Sequence, residues 1–368
     1  MQGYKSSVEE YIQKNILSKT CEVYFDFSSE KDYLYRQLDL IGKCLCLEYV
    51  NGQSSFYLID SVRVQAGAIH KYQTVLVFKG MLELIFRTSA MMVGAERRGK
   101  EPDGAFYEPW RDNLNLWING GDFEWENDEY WWLHDEIHRN IFDMFVEAMF
   151  VFLVLHEIGH IHNLHGERRD DHTIKQPSTK EHLIFIHKAV GDSEDEVDTA
   201  KKLDAHAREI IADTYAFQFM LTELKKCFFP DSEYDGADAG ALSATNFAIC
   251  IYVVASFFWA LSFQHSMRND TQCEHYPSHA FRLVSIEAAC LEHKVCRGDI
   301  TLTRSGLEGG MTSYISKLTG AVSNNEFLKW RLTLNIPSNQ EHYEKICAIT
   351  PNWSNFIFGV RDDDWLKR

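Results

Sequence analysis

The sequence lacks the cysteine patterns that define disulfide frameworks and cysteine-based zinc sites. Its nine cysteines are odd in number and scattered, and no two of them form a Cys-x-x-Cys pair. The first fifteen residues, MQGYKSSVEEYIQKN, also lack the apolar core of a signal peptide. Together these absences predict free thiols in a reducing compartment, and therefore a cytoplasmic location.

Positive charge is scarce as well. The 37 Lys and Arg residues face 54 Asp and Glu residues, which gives a net charge of −17. A nucleic-acid-binding protein needs a basic surface to contact phosphates, so this balance argues against nucleic acid as a partner. The chain has no internal repeat and no low-complexity segment, and its apolar and charged fractions are typical of one or two globular domains.

Only one stretch is long and uncharged enough to raise the question of a membrane. It runs from Ala239 to Gln264, about the length that spans a bilayer of ~30 Å. It contains several hydroxyl and amide side chains, and no cluster of Lys or Arg flanks it to set an orientation. The sequence therefore favours a buried helix in a large core, with membrane contact as the alternative.

The first part of the chain has a composition typical of strands. Cys21–Phe27, Cys44–Val50 and FYLIDSV after Asn51-Gly52 predict short strands, with a hairpin turn at Asn51-Gly52. A helix is expected over Tyr72–Met92. Five tryptophans follow between residues 110 and 132, and core packing is favoured for them over an aromatic ligand groove.

Helical patterns dominate the middle of the chain. One helix is predicted from about Asp135 to His165 with Gly166 as its C-cap, and a second over Lys202–Lys226. Ser278 is expected to cap a later helix. The acidic run at 192–198 is predicted to be a solvated loop or the start of a helix. Calcium binding is not favoured, because the run lacks the spacing of a calcium-binding loop.

The strongest motif is HExxH, formed by His156, Glu157 and His160. Residues four apart share one face of a helix, so both imidazoles can reach the same metal ion. Zn²⁺ suits two imidazole ligands and makes bound water acidic, and Glu157 stands beside them as the base for that water. A polar helix face without metal is the plain alternative.

Three residues compete to be the third ligand. His165 is one residue short of the metzincin spacing, and that reading is weak. Glu209 is favoured because it lies four residues before Asp213, which could accept the N–H of a ligand histidine. His206, on the same stripe as Glu209, is the remaining candidate. His162 points to another face, which predicts a supporting or surface role.

HExxH followed on a later helix by Glu-x-x-x-Asp resembles the gluzincin metallopeptidases, the group that includes thermolysin. EIIADTYA is similar to the HtpX-like and CAAX-processing proteases and to the Lit-type phage-exclusion peptidases. The resemblance covers roughly residues 135–295. It implies that His156, His160 and Glu209 bind zinc, that Glu157 is the catalytic base and that Asp213 supports a ligand.

YPSHAFRL is similar to the HP-x-x-x-x-R element of HtpX-like proteases. Pro277 and Arg282 keep its spacing, whereas Tyr276 stands where the family has histidine. Such enzymes often stabilise the tetrahedral oxyanion with a nearby His or Tyr. His279 is the catalytic candidate for that role, with Tyr215 second, and Arg282 is expected to be an ion-pair partner.

The resulting interpretation is an α+β, zincin-like zinc endopeptidase with a helical catalytic core. It predicts an N-terminal β-rich part at 1–134, a catalytic core at 135–295 and a C-terminal mixed segment at 296–368. The partner is a protein or peptide substrate, and the Lit resemblance implies regulated, defence- or toxin-like proteolysis with an unknown trigger. The alternatives are a non-catalytic zincin-like binding module and a membrane-associated CAAX-type protease.

Overall fold

The computed structural model describes residues 2–17, 23–29, 32–50, 55–96, 110, 113–120, 123–124, 128–168, 199–228, 237–264, 277–291, 304–321 and 325–353. Several predictions lie outside these residues. They are the hairpin turn at Asn51-Gly52, the acidic run at 192–198, Trp125, and Tyr276 in the HP-x-x-x-x-R-like element.

The described chain is mostly helical and carries a small mixed sheet, an α+β arrangement. The strands are β1 (Val23–Tyr24), β2 (Ser55–Asp60), β3 (Ala66–Ile69) and β4 (Thr74–Phe78). The helices are α1 (Gln2–Ile12), α2 (Tyr33–Tyr49), α3 (Lys79–Glu96), α4 (Leu114–Ile118), α5 (Glu136–His162), α6 (His165–Arg168), α7 (Thr199–Phe228), α8 (Ala237–Ser262), α9 (His279–Leu291), α10 (Arg304–Ala321), α11 (Glu326–Leu332) and α12 (Pro337–Ile349).

The sheet has the strand order β1-β2-β4-β3. β2 pairs with β4 in parallel, with Phe56 opposite Val75, and the two outer pairings are antiparallel. All five residues of β4 are buried, because successive side chains point to opposite faces and both faces are covered. Val75 and Val77 join the main core, whereas Leu76 and Phe78 pack with the residues of α1.

Two predictions for the N-terminal part were wrong in detail. Cys44–Val50 is the end of helix α2 and not a strand, because its buried residues continue a helical spacing that begins at Leu34. The predicted helix over Tyr72–Met92 starts only at Lys79, since the run Thr74–Phe78 before it forms the central strand. The strand predicted at FYLIDSV is confirmed as β2.

Helix α8 contains the long apolar stretch of the sequence. By length and composition Ala244–Ser262 could cross a membrane, but 78% of that window is buried inside the protein. Asn246 fits this interior because its side chain donates to the carbonyl of Leu221 on α7, at 2.8 Å. The burial agrees with the predicted core helix.

The tryptophan-rich segment belongs to the core. Trp110 and Trp132 are 1% exposed, and their ring centroids lie 4.8 Å apart in an edge-to-face contact. Trp117 is also buried and lies 5.5 Å from Trp110. The indole N–H of Trp110 donates to the carbonyl of Ala321 at the end of α10. The prediction of core packing is therefore confirmed for these tryptophans.

The C-terminal helices pack onto the middle of the chain. α10 lies along α8, and α12 lies along α7. Tyr343 of α12 stacks on Phe281 of α9 with centroids 3.8 Å apart, and its hydroxyl lies 2.8 Å from that of Ser278. Ser278 also accepts a hydrogen bond from the backbone N–H of Phe281, as expected of an N-cap. The division at 134/135 and 295/296 stays a prediction.

Candidate metal centre

Helix α5 carries the HExxH motif in its last two turns. Asp135 caps its first turn by accepting hydrogen bonds from the backbone N–H groups of Ile137 and His138. From Phe145 onward nearly every residue is buried, so the motif stands on a rigid helix in the interior. His156 and His160, one turn apart, lie on the same face.

Helix α7 crosses α5 at very short range next to this face. A Cβ on Gly159 would lie 3.1 Å from the ring of Tyr215 and 3.2 Å from the Cα of Ala212. The glycine of HExxH and the small Ala212 therefore set how closely the two backbones approach. This crossing brings Glu209, one turn before Asp213 on α7, to the two histidines.

The three predicted ligands form a triangle of side chains. The Nε2 atoms of His156 and His160 are 3.2 Å apart. Nε2 of His156 lies 3.4 Å from Oε2 of Glu209, and Nε2 of His160 lies 3.4 Å from Oε1 of the same carboxylate. Tetrahedral zinc with bonds of about 2.0–2.2 Å holds its ligand atoms about 3.3 to 3.6 Å apart, so these residues could hold the ion, and the described residues supply three protein ligands.

The Nδ1 atoms of both histidines face away from this triangle, and each lies close to another side chain. Nδ1 of His156 is at ion-pair distance from Oδ1 of Asp213, 2.9 Å, and Nδ1 of His160 is hydrogen-bonded with Nδ1 of His165, also at 2.9 Å. When each neutral ring carries its proton on Nδ1, each Nε2 presents a lone pair. Two lone pairs and a carboxylate at this distance repel one another unless positive charge lies between them.

The charge of the site is set by burial and by close partners. Burial disfavours the charged form of His156, but hydrogen bonds to Asp213 and Glu209 outweigh it and raise the pKa of His156 to about 10. Burial also works against ionised Glu209, but His160 and His156 hold its pKa well below the usual range. In the metal-free protein a proton on His156 thus supplies the positive charge that a metal ion would bring.

Arg282 of helix α9 supports the acidic side of the site. Its Nε and Nη2 donate to the two oxygens of Asp213, at 2.7 and 2.6 Å, and Nη2 lies 3.6 Å from Glu209. This pairing outweighs burial and lowers the pKa of Asp213. The guanidinium also lies over the ring of Phe258, 4.8 Å from its centroid. Arg282 is therefore an ion-pair partner, as predicted.

Glu157 is 2% exposed and has no hydrogen-bond partner for its Oε2 within the described part of the chain. Burial, opposed by His156, raises the pKa of Glu157 to about 7. A carboxyl group of this kind can exchange a proton near neutral pH, which is the property of a general base or acid. Its carboxyl group interacts electrostatically with His156, Glu209, Arg282 and Asp213, and so lies near the triangle.

The other predicted residues lie at different places. His279 is 4% exposed at the start of α9, with its ring 6.0 Å from that of Phe258, and its oxyanion role stays a prediction. Tyr215 is fully buried and packs on half-buried His162. His206 lies 2.9 Å from Nε2 of His342 on α12, so its ring pairs with the C-terminal helix.

Two sequence predictions near the motif need correction. Helix α5 ends at His162 and not at His165, because Asn163 bonds the carbonyl of Gly159 and Leu164 takes a left-handed backbone (φ 54°). Gly166 is consequently no C-cap and lies in the short helix α6. His165, considered only as a metal ligand, instead contacts the outward nitrogen of His160. No glycine marks this turn, so the sequence carried little signal for it.

Comparison with protein-family models, curated proteins and solved structures finds no match to this chain. The likeness to gluzincins therefore depends on the residues of the two motifs alone.

Proposed function

We propose that this protein is a zinc-dependent endopeptidase of the gluzincin type. The observation that carries the proposal is the triangle of His156, His160 and Glu209, in which each Nε2 lies 3.4 Å from a different carboxylate oxygen, with the buried Glu157 in electrostatic range. Three protein ligands with an open fourth position are the arrangement of catalytic zinc sites, whereas structural sites use four. A zinc ion held there would polarise a carbonyl group and lower the pKa of a bound water to ~7.

Glu157 is the proposed general base and acid. It takes a proton from the attacking water and delivers it to the leaving amine, so one carboxyl group serves both halves of peptide hydrolysis. Its pKa of about 7 and its oxygen without a partner in the described residues suit that exchange. Asp213 holds the ring of His156 and is itself held by Arg282. His279 remains the proposed oxyanion donor.

The substrate is proposed to be a protein in the same cytoplasmic compartment. An unrestrained endopeptidase there would damage its own cell, so we propose that activity is regulated, as in the Lit-type peptidases that the motifs resemble. Neither motif identifies the trigger or a regulatory partner.

The test compares wild type with Glu157→Gln in cells, with new protein termini measured by mass spectrometry. Loss of a general base costs ~10²–10⁴-fold in rate, so wild-type-specific termini should vanish in the variant. Zinc content should be equal in the two, because Glu157 is not a ligand. His156→Ala is the matched control, and it should lose both zinc and cleavage.

Unchanged termini in Glu157→Gln would overturn the proposed mechanism. Zinc bound by wild type without any new terminus would instead favour the non-catalytic zincin-like module.

A further inference from the structure

The five residues after the HExxH motif, IHNLH, fold back onto the helix that they leave. His165 is 1% exposed, and its Nδ1 lies 2.9 Å from Nδ1 of His160. This nitrogen of His160 is the one that faces away from Glu209 and from His156. His165 therefore lies behind a proposed ligand and outside the triangle that would hold the metal.

The backbone reaches this position through an uncommon conformation. The buried Asn163 ends the helix, with its side-chain amide donating to the carbonyl of Gly159 at 2.7 Å. Leu164 follows with φ of 54°, a left-handed conformation that side chains with a Cβ disfavour. Such strain persists only where the surroundings enforce it, and it is concentrated at functional sites.

The other side of His165 is anchored to the sheet. The backbone N–H of Gly166 donates to Nδ1 of His70, at 3.3 Å, in the turn between β3 and β4. A Cβ on Gly166 would lie 2.2 Å from Cγ of His70, so only glycine fits there. Both neighbours of His165 are thus restricted: Leu164 has an uncommon backbone conformation, and Gly166 is in close contact with His70.

We propose that His165 is a positioning residue for the metal centre. Its Nδ1 accepts a hydrogen bond from Nδ1–H of His160, which fixes the tautomer of His160 that presents Nε2 to a metal ion. The two ligand histidines are then supported differently, His156 by the anionic Asp213 and His160 by a neutral imidazole. This inference rests on the metal centre of the proposed function but not on proteolysis.

The test replaces His165 by Asn and by Leu, whose side chains have the same number of heavy atoms with the same branching at Cγ. Asn offers an oxygen that can accept the hydrogen bond, whereas Leu offers none. Zinc dissociation constants are measured by competition with a chromophoric chelator, and the ligand geometry is followed by the visible absorption of Co²⁺ in the same site. His162→Ala is the control, because that half-buried histidine neighbours the motif and packs on Tyr215.

His165→Leu should weaken zinc binding by about 10- to 100-fold and alter the Co²⁺ spectrum, as loss of a partner behind a ligand histidine does. His165→Asn should recover most of the affinity, and His162→Ala should bind as wild type does. If His165→Leu does not fold, Gly166→Ala serves instead, since a Cβ at residue 166 would meet His70 and shift the backbone that carries the unchanged His165. It should weaken zinc binding in the same direction.

Wild-type zinc affinity and an unaltered Co²⁺ spectrum in a folded His165→Leu or Gly166→Ala protein would overturn the inference alone. A wild-type protein that binds no zinc would overturn both the inference and the metal centre. Zinc binding that depends on His165, in a protein that cleaves nothing, would support the inference while removing the protease.

Discussion

Helix α9 contributes to two buried clusters of charged side chains. In its second half, Glu287 receives both Nη atoms of Arg331, at 2.8 and 2.7 Å, and the hydroxyl of Tyr314. Nη1 of Arg331 also donates to the Tyr314 hydroxyl, at 2.6 Å. In its first turn, Arg282 pairs with Asp213 beside the two ligand histidines.

The clusters differ in how many of their carboxylate oxygens accept a hydrogen bond. In the Glu287 cluster one carboxylate meets one guanidinium and a hydroxyl, which completes a network and ties α9 to α10 and α11. In the candidate metal-site cluster Arg282 bonds Asp213 and lies 3.6 Å from Glu209, whereas Oε2 of Glu157 has no hydrogen-bond partner among the described residues. The Nε2 atoms of the two histidines and the carboxylate oxygens of Glu209 face one another at 3.2 to 3.4 Å. A complete buried network stabilises a fold, whereas an incomplete one of this geometry indicates a ligand.

The largest effect is expected from Glu209→Gln. The substitution keeps the shape of the side chain but removes the anionic ligand, so zinc affinity should fall by more than the roughly 10- to 100-fold that a supporting residue costs. Stability measured by urea unfolding in the presence of a chelator should fall less than zinc affinity does, because Asp213 stays paired with Arg282 and still lies beside His156. If Glu209→Gln instead lost much of its metal-free stability and kept its zinc affinity, this cluster would stabilise the fold as the Glu287 cluster does, and the proposed difference between them would be wrong.

Glu287→Gln should give the opposite pattern. It breaks a buried ion pair and leaves Arg331 without its anion, which costs ~3–5 kcal/mol when both partners are fully buried. The side chain of Arg331 is 19% exposed, so a loss of ~2–3 kcal/mol in unfolding free energy is expected. Zinc titration of the folded variant should match wild type. Weakened zinc binding would mean that the two clusters are coupled through α9.

The sequence predicted the part of the candidate metal site that helix geometry dictates. HExxH and the Glu209–Asp213 pair have fixed spacings on their helices, so each pair must share a face once the helix forms. Small Ala212 lets the two helices cross closely at Gly159. His165 was missed because its position depends on a left-handed Leu164, and leucine is not a residue that signals that conformation.

The fold was predictable where periodicity was unambiguous. The apolar α8 and the strand β2 were recognised, since a long apolar run and an alternating one each have one plausible structure. Thr74–Phe78 was assigned to a helix because its unbroken apolar run has no period, and burial of both faces of β4 is what makes that run a strand. The end of α2 was misread because a short aromatic and aliphatic segment hid a helix that starts at Tyr33.

Glu83 is a buried carboxyl group outside both clusters and an intermediate case. Its oxygens accept hydrogen bonds from the hydroxyl of Tyr35 and, at 2.6 Å, from the backbone N–H of Phe123, and within the described residues no Lys or Arg side chain is hydrogen-bonded to it. Burial, which those two hydrogen bonds oppose, raises the pKa of Glu83 in the folded protein. The folded state therefore binds this proton more tightly than the unfolded state does.

The smallest effect is expected at this group, and it depends on pH. The stability that Glu83 contributes is complete below its ordinary pKa and is lost as pH rises through the raised value, whereas a glutamine has no such loss. Glu83→Gln should cost about 1 kcal/mol at pH 4, because an amide oxygen serves only one of the two donors, and the cost should shrink as pH rises. Urea unfolding from pH 4 to 8 measures the difference, and a constant difference would contradict the assignment. Tyr35→Phe removes a hydrogen bond that lowers the pKa of Glu83, so it should extend the pH-dependent loss to higher pH.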